Sequence, residues 1–525
     1  MTLAYRIPAP VAAFDGASGF DPRPADTTHD RREPIASTAE DFPIAIIGAG
    51  FTGIGAAIRL QQAGIHSFTI FERAGRIGGT WRDNTYPGAA CDVPSHVYSL
   101  SFEPNPDWSR KFAGAHEIHG YLLGLVAKHD LRRRLRLNTT IVAARFDEAR
   151  GMWTLTDDVG RTYEARVVLS CMGGLIDPAL PPIPGIGDFT GKIMHTARWD
   201  HSYDLAGKRV AVIGTGASAV QVVPSIAPTV ASLTVFQRTP AWVVPKRDRT
   251  YSARARRLLA RFPLALRISR ALKYWNSEMW GPIVFLDAPR LSEVGQRASL
   301  AHLRAQVRDP RLRERLTPTF QFGCKRILIS DDYWATFERD NVTLVTAPIE
   351  TITPAGIATA DGTTHVFDAI IFATGFELNF AKAPFPVRGL GGRLLDEAWK
   401  DGAVAYKGLS VFGFPNWFIM MGPNTGPGHT SVLVYTEAQI AHAVQAIRTI
   451  RGARLRYVHV RRDVQDRYNA RLQGRMKHMV WSTGCTSWYL SKDGANHTLY
   501  PGFAAEYVVR ARRFRPSDYE IATFR

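Results

Sequence analysis

The sequence predicts an α/β fold with two doubly wound domains, each built to hold a dinucleotide, in one chain of 525 residues. Two glycine-rich loops carry this prediction: Gly48-x-Gly50-x-x-Gly53 and Gly214-x-Gly216-x-x-Ala219. Each loop follows a short apolar strand and opens a helix, which is the order of a Rossmann-type nucleotide-binding unit. One such loop is a weak signal, but two in one chain indicate two dinucleotide sites.

The order of strands and loops also predicts how the domains are divided along the chain. Strands at 166–173 and 368–375 each end at a glycine and would close one nucleotide-binding sheet, and a segment with helical spacing interrupts the second domain. The second domain is therefore inserted in the first, and it carries an inserted helical subdomain. The predicted parts are an N-terminal extension (1–40), the first domain (41–185), a linker and the second domain (186–250), the helical subdomain (251–321), the rest of the second domain (322–375), and the rest of the first domain with a C-terminal loop region (376–525).

Composition and charge are those of an ordinary globular protein with a basic surface. Hydrophobic residues make up 45% of the chain, charged residues 21%, and the net charge is +18. We find no apolar run of about 18 residues and no secretion signal, so the cytoplasm is the expected location. The basic residues are dispersed and no nucleic-acid motif accompanies them. We therefore expect anionic cofactors rather than nucleic acid as partners, with an anionic membrane surface as the second interpretation.

The cysteines exclude one class of enzyme. Cys91, Cys171, Cys324 and Cys485 are far apart and form neither a C-x-x-C pair nor a metal-type cluster. We therefore expect no metal site and no dithiol redox centre. A pyridine nucleotide-disulfide oxidoreductase shares the plan of two nucleotide domains, but it needs an active cysteine pair.

The two glycine-rich units differ at the end of their second strand. In the first unit the strand ends at Glu72, whose carboxylate can accept hydrogen bonds from ribose hydroxyls, as in FAD or NAD sites. In the second unit Arg238-Thr239 takes that place, and a guanidinium there can pair with a 2′-phosphate. The second unit is thus predicted to bind NADP rather than NAD. The alternative for Arg238 is a plain surface cation.

Two longer motifs carry a resemblance to a known family. They read Gly78-Gly79-x-Trp81-x4-Tyr86-Pro87-Gly88-x3-Asp92 and Phe189-x-Gly191-x3-His195-x3-Trp199-Asp200. Both resemble the fingerprints of type I Baeyer-Villiger monooxygenases, a branch of the class B flavoprotein monooxygenases, and the likeness runs from about residue 43 to 502. Related flavin-containing monooxygenases have a similar linker that ends in Tyr or Phe, so Trp199-Asp200 favours the Baeyer-Villiger branch.

The resemblance implies a function. FAD would bind in the first domain and NADPH in the second, and hydride would pass from the nicotinamide to the flavin. Reduced flavin with O2 would give a C4a-peroxyflavin that converts a ketone to an ester or lactone. One alternative is a heteroatom monooxygenase that makes S-oxides or N-oxides with the same peroxyflavin. Another is a peripheral membrane protein with an inactive nucleotide fold. The sequence does not identify the ketone or the oligomeric state.

The resemblance also assigns residues. Arg326 is the catalytic candidate, Asp92 would pair with it, and Lys325 would lie near the 2′-phosphate. By spacing alone, Lys325-Arg326 is a surface pair. The full set of expected cofactor contacts is Gly48, Gly50, Gly53, Glu72, Gly79, Thr80, Trp81, Asp92, Tyr98, Thr215, Gly216, Ser218, Gln221, Arg238, Thr239, Lys325, Asn424 and Trp488.

The linker fingerprint, marked by Gly191, His195 and Trp199, is expected to couple domain rotation to the placement of NADP. A structural hydrogen bond is the alternative for His195. A general base or a metal ligand is not favoured there, because no second ligand-type residue stands at helical spacing or in a nearby cluster.

The helical subdomain leaves two interpretations open. Its arginines interleave with Leu258, Leu259, Phe262, Leu266 and Leu272, a pattern that can lie on an anionic membrane. Pro263 interrupts this pattern, and the family has a helical subdomain at the same place. We therefore favour burial of these apolar residues against the nucleotide domain.

Overall fold

The computed structural model describes residues 42–377, 383–484, 487, 489–490 and 494–524. The predicted extension over residues 1–40, together with Cys485 and Trp488, lies outside the described residues.

The first part of the chain forms a strand–helix–strand unit, two further helices and an antiparallel meander. In chain order its elements are β1 (Ile44–Ile47), α1 (Phe51–Gln62), β2 (Phe68–Phe71), α2 (Thr80–Asp83), α3 (Ala115–Lys128), β3 (Leu135–Arg136), β4 (Ile141–Asp147), β5 (Met152–Asp157), β6 (Thr162–Ala165) and β7 (Val167–Ser170).

The middle part forms the second nucleotide-type unit, interrupted by four helices. In chain order its elements are β8 (Lys192–His195), β9 (Arg209–Ile213), α4 (Ala219–Ile226), β10 (Ser232–Phe236), β11 (Val243–Val244), α5 (Ala253–Arg261), α6 (Pro263–Phe285), α7 (Pro289–Gln306), α8 (Pro310–Leu316), β12 (Leu328–Ile329), β13 (Val342–Val345), β14 (Ile349–Thr353), β15 (Gly356–Thr359), β16 (Thr364–Val366) and β17 (Ala369–Phe372).

The last part returns to the first unit. In chain order its elements are β18 (Val387–Arg388), α9 (Leu395–Ala398), β19 (Trp417–Ile419), α10 (Val432–Gly452), β20 (Leu455–Val460), α11 (Arg462–Met476), α12 (Ala504–Ala511) and β21 (Tyr519–Thr523).

Two five-stranded parallel sheets organise the molecule. The first has the order β19-β7-β1-β2-β3 and the second the order β13-β10-β9-β17-β8. In each sheet the strand before a glycine-rich loop, β1 or β9, lies in the centre. Apart from the exposed Arg209 at the start of β9, their residues are β-branched or small and buried, as expected of parallel strands covered on both faces. The predicted fold class of two doubly wound nucleotide-binding units is confirmed.

Strand pairing shows how distant parts of the chain meet. β19 adds to the first sheet beside β7, and β18 pairs with β4 of the meander β4-β5-β6. The second sheet is therefore built from chain that leaves the first sheet after β7. The chain then returns to the meander at β18 and to the first sheet at β19. The boundaries of the individual domains stay a prediction.

Several helices share apolar cores with one another and with these sheets. Ile54 and Ile58 of α1 share a core with Ile440 and Ile447 of α10. Leu303 of α7 and Leu316 of α8 join the core of the second sheet. The helical subdomain is thus attached to the second nucleotide-binding unit.

The apolar residues of the basic insert are only partly buried. Leu266 is buried, but Leu258, Phe262 and Leu272 are exposed. The expectation that this set packs against the nucleotide domain is therefore wrong for those three residues. The reason is the position of each residue. Leu258 lies on α5, in which no residue is buried, and Phe262 lies between α5 and α6. Leu272 lies on the side of α6 that faces away from the rest of the protein.

Candidate active site

The first glycine-rich loop has no room for side chains at two of its glycines. Gly48 has φ +105°, and a Cβ added there would lie 2.7 Å from the Cys171 carbonyl oxygen at the end of β7. A Cβ on Gly53 would lie 1.9 Å from the Gly48 carbonyl oxygen. Helix α1 begins after Gly50 without a side-chain cap. Its first N–H groups are therefore available to a pyrophosphate.

Glu72 follows β2 and is held by its surroundings. Its carboxylate accepts hydrogen bonds from the Ala49 N–H at 2.9 Å, the Ala74 N–H at 3.0 Å and Arg82 Nη1 at 2.9 Å. Two carboxylate oxygens offer about four lone-pair positions, so capacity for a further donor remains. The carboxylate is thus oriented beside the loop, where a ribose hydroxyl would reach it.

The first fingerprint lies against this loop. A Cβ on Gly79, which has φ +54°, would lie 3.3 Å from the Gly50 Cα, so two glycine backbones face each other. Thr80 begins the short helix α2 directly after Gly79. Trp81 Nε1 donates to the Tyr98 hydroxyl at 3.0 Å. This contact fixes an indole beside the cleft that the two glycines leave open.

Asp92 and Arg326 meet although more than 200 residues separate them. Arg326 Nη2 and Nε donate to Asp92 Oδ2 at 2.5 and 3.2 Å. The Asp92 carboxylate raises the pKa of Arg326, so the guanidinium is a permanent cation. Its side chain is still 40% exposed, which leaves donors free to face a ligand.

Tyr489 joins this pair from the C-terminal part of the chain. Burial raises its pKa to about 12, and the Arg326 charge opposes that rise, so the phenol lies within electrostatic reach of the guanidinium. Its ring packs with Trp481 in a small apolar cluster. No pattern in the sequence indicated this contact.

The second glycine-rich loop repeats the backbone geometry of the first. Gly214 has φ +118°, and a Cβ there would lie 2.5 Å from the Ala373 carbonyl oxygen at the end of β17. A Cβ on Gly216 would meet nothing within 4 Å, so the loop is open on that side. Thr215 Oγ1 donates to the Thr239 carbonyl at 2.8 Å, and Ser218 stands at the N-terminus of α4.

Two cations converge beside this loop. Burial lowers the pKa of Lys325, and the charge of Arg238 lowers it further. The Lys325 ammonium also lies 4.9 Å from the centre of the Phe320 ring. Among the described residues, neither Arg238 nor Lys325 has a carboxylate in ion-pair distance, so the position suits a bound anion.

Gln221 connects the two nucleotide-binding units. Its Oε1 accepts a hydrogen bond from the Tyr86 hydroxyl at 2.8 Å, and its Nε2 donates to the Ala90 carbonyl at 3.0 Å. A Cβ on Gly88 would lie 2.5 Å from the Gln221 carbonyl oxygen. The first fingerprint thus packs directly on α4. The part of Gln221 in cofactor binding stays a prediction.

The linker fingerprint forms the edge of the second sheet. His195 ends β8 beside Phe372 of β17, and its Nδ1 accepts a hydrogen bond from the Ala197 N–H at 3.0 Å. Burial lowers its pKa to about 4, so the imidazole is neutral at physiological pH. A Cβ on Gly191 would lie 2.6 Å from the Asp368 carbonyl oxygen, and Trp199 packs on the core of the second unit.

The side-chain amide of Asn424 is only partly used in hydrogen bonds among the described residues. Its Nδ2 donates to the Asn496 and Leu499 carbonyls at 2.8 and 3.0 Å. Its Oδ1 is buried and has no hydrogen-bond partner within the described part of the chain. A buried acceptor of this kind suits an N–H donor of a ligand ring. Trp488, the last expected contact, lies outside the described residues.

The cysteines and the acidic residues form neither a dithiol pair nor a metal cluster within the described residues. Cys91 and Cys171 are buried free thiols, whereas Cys324 is disulfide-bonded, which the spacing of the cysteines did not predict. In the ranges that the structure describes, no group of three or more His, Cys, Asp or Glu side chains could hold a metal ion. Within the same ranges, no helix is both long and apolar enough to cross a bilayer.

Comparison with known proteins identifies the family. Residues 42–275 match the model of the FMO-like family, described as flavin-binding monooxygenase-like. A Baeyer-Villiger monooxygenase of Pseudomonas aeruginosa is 45% identical over 94% of this chain and 93% of its own length. The chain belongs to the Baeyer-Villiger monooxygenases. The predicted resemblance is confirmed.

Other members of this family agree in sequence and in structure. A Baeyer-Villiger monooxygenase of Streptomyces coelicolor is 43% identical over 92% of this chain and 93% of its own length. The crystal structure of OTEMO in complex with FAD and NADP has a TM-score of 0.82 and 29% identity, and the likeness covers 92% of this chain and 99% of that one. The two nucleotide-binding units of this chain therefore have the arrangement of the family.

Proposed function

We propose that this Baeyer-Villiger monooxygenase binds FAD in its first unit and NADPH in its second, and converts a ketone to an ester or lactone. The overall reaction consumes the ketone, O2, NADPH and one proton, and it yields the ester, NADP⁺ and water. The observation that carries the proposal is Arg326, a permanent cation fixed by Asp92 and still partly exposed beside the first fingerprint.

The residues around the first loop fit FAD. The loop leaves backbone N–H groups of α1 available to the pyrophosphate, and Glu72 is oriented for the ribose. Asn424 offers a buried acceptor without a partner among the described residues, which matches the N–H edge of an isoalloxazine. When bound, the reduced flavin and O2 supply the oxidant, and NADPH supplies the electrons.

Arg326 supplies the positive charge that the reaction needs. When an oxidant attacks a ketone, negative charge develops on the carbonyl oxygen, and a fixed guanidinium stabilises that charge without reorganising. A guanidinium has five N–H donors, and Asp92 occupies two of them. Asp92 thus acts as a positioning residue, while the remaining donors of Arg326 face the reacting oxygen.

Arg238 and Lys325 select the electron donor. Both are cations next to the second loop, and their mutual repulsion is relieved when a dianionic 2′-phosphate binds between them. NADH lacks this phosphate and would leave the repulsion in place. His195 is neutral and contributes structure at the sheet edge rather than charge.

The test is the Arg326→Ala variant with purified, FAD-loaded protein. We expect flavin reduction by NADPH in the absence of O2 to stay within about twofold of the wild type, and ester formation to fall by about two orders of magnitude or more. Stopped-flow absorbance measures the first step, and gas chromatography of a ketone panel measures the second.

A matched control is Arg461→Ala, which removes another arginine paired with an aspartate, Asp463, at the start of α11. This variant should retain both steps. Full ester formation by Arg326→Ala would overturn the assigned role of Arg326. A wild-type protein that oxidises sulfides or amines but none of the ketones would transfer the proposal to heteroatom oxygenation.

A further inference from the structure

The outer face of α6 carries a row of exposed apolar side chains. We call this row the α6 stripe: Leu264, Ile268, Leu272, Trp275 and Met279, which are 51–72% exposed. The spacings of four, four, three and four residues place them on one side of the helix. At about 1.5 Å per residue the α6 stripe is roughly 22 Å long. Single exposed apolar residues are common on protein surfaces, but an aligned row of five large ones indicates a contact surface.

The helix cannot turn this face inward, because its opposite face is fixed. Arg270 Nη1 donates to the His96 and Ser99 carbonyls, both at 2.8 Å. The buried Glu278 carboxylate has its Oε1 atom 3.3 Å from His429 Nε2. These contacts hold α6 along its length, so the α6 stripe remains outside.

The surroundings of the α6 stripe are strongly basic. From residue 251 to 286 the sequence contains one acidic residue, Glu278, and that side chain is buried. Exposed arginines stand on α5 and on the first turns of α6, and among the described residues they have no ion-pair partner: Arg254, Arg257, Arg261 and Arg267. An apolar row beside cations without counter-charges is the pattern of a helix that lies in the interface of an anionic membrane.

We propose that the α6 stripe and the arginines of α5 dock this protein on the surface of an anionic lipid bilayer. The apolar side chains would enter the boundary between headgroups and acyl chains, Trp275 would lie at headgroup depth, and the arginines would pair with lipid phosphates. A second copy of this chain fits the face less well, because it would bring two arginine clusters together. This proposal does not depend on the proposed reaction.

The experiment is sedimentation of the full-length protein with vesicles. One set contains equal parts of phosphatidylcholine and phosphatidylglycerol, and the other contains phosphatidylcholine alone. We expect the protein to sediment with the anionic vesicles at low salt and to be released at high salt. The double variant Trp275→Glu/Met279→Glu should bind at least tenfold less. Arg257→Glu/Arg261→Glu should also lose at least tenfold, since each basic residue near such a surface contributes about fivefold.

The matched control is Val509→Glu on α12, an equally exposed apolar residue outside the α6 stripe. It should sediment like the wild type, and circular dichroism with thermal unfolding shows that all variants are folded. The proposal is overturned if the wild type stays in the supernatant with anionic vesicles, or if the Trp275→Glu/Met279→Glu variant binds as well as the wild type. It is also overturned if light scattering shows a dimer that this variant dissociates, since a second copy would then cover the α6 stripe.

Discussion

The two glycine-rich loops have the same backbone conformation, but the residues beside them have opposite charges. Gly48 and Gly214 have φ of +105° and +118°, and in both a Cβ would collide with a carbonyl oxygen at the end of the neighbouring strand. The same backbone therefore forms at the carboxyl end of both sheets. Their flanking residues differ: Glu72 accepts three hydrogen bonds from its own unit, whereas Arg238 is exposed and faces another cation, Lys325.

This difference separates two tasks. The backbone of each loop provides the place for a pyrophosphate, and any dinucleotide can use it. We expect the residue after the second strand to distinguish one nucleotide from another. In the first unit it is a carboxylate held in place before a ligand arrives. In the second unit it is a cation that faces another cation, and we expect it to gain a counter-charge when a phosphate binds.

The largest effect is expected from the third glycine position, where the two loops differ. A Cβ on Gly53 would lie 1.9 Å from the Gly48 carbonyl oxygen, whereas the second loop has Ala219 at that position. Gly53→Ala should therefore distort the first loop, abolish flavin binding and destabilise the fold by about 3 kcal/mol or more. The ratio of flavin to protein absorbance and thermal unfolding measure both effects.

The reciprocal change is the control. Ala219→Gly adds no atoms, and it should cost only about 1 kcal/mol through helix propensity, with flavin content unchanged. Full flavin content in Gly53→Ala would contradict this prediction. It would mean that the short distance to the Gly48 carbonyl oxygen does not exclude a side chain at residue 53, and that the first loop accepts alanine there as the second loop does.

The next effect concerns the choice between nucleotides. Arg238→Ala should raise the KM for NADPH about ten- to a hundredfold, because a charge-assisted contact to the 2′-phosphate is lost, and should change the KM for NADH less than about threefold. Steady-state oxidation of each nucleotide measures this. Arg462→Ala, another exposed arginine, on α11, should change neither constant. Equal rises for NADPH and NADH would remove Arg238 from phosphate recognition.

Local elements of this fold follow from sequence pattern, and long-range contacts do not. The apolar runs before Gly48 and Gly214 predict β1 and β9, because strand, glycine turn and helix are encoded by neighbouring residues. The pair of Asp92 and Arg326 came from family resemblance, since a Lys-Arg dipeptide alone indicates only a charged surface. No local pattern encodes a meeting of such distant residues.

Sequence pattern also fails to predict the contacts between the two units and the packing of the helical insert. Gln221 bonds to Tyr86 and Ala90 across the contact of the two units, whereas the resemblance had assigned it only a cofactor contact. The apolar residues of the helical insert alternate with arginines, and this pattern led us to favour burial, although three of the five residues are exposed. Which face of α6 is covered depends on partners such as His96 and His429 from other parts of the chain.

The smallest effect is a pH dependence that links Arg238 to Lys325. The pKa of Lys325 is lowered by burial and then by Arg238, so its ammonium loses charge at a lower pH than an ordinary lysine. The KM for NADPH should therefore rise about three- to tenfold as pH increases through this lowered pKa, while the KM for NADH does not change with pH.

In Arg238→Ala the rise in KM should move to higher pH, because one of the two causes of the lowered pKa is gone. Burial should still keep the rise at a lower pH than a solvent-exposed lysine would give. Profiles of KM against pH for both proteins measure the displacement. Identical profiles would mean that Arg238 and Lys325 do not affect one another. The second loop would then recognise its phosphate through a single cation, just as the first loop has a single carboxylate.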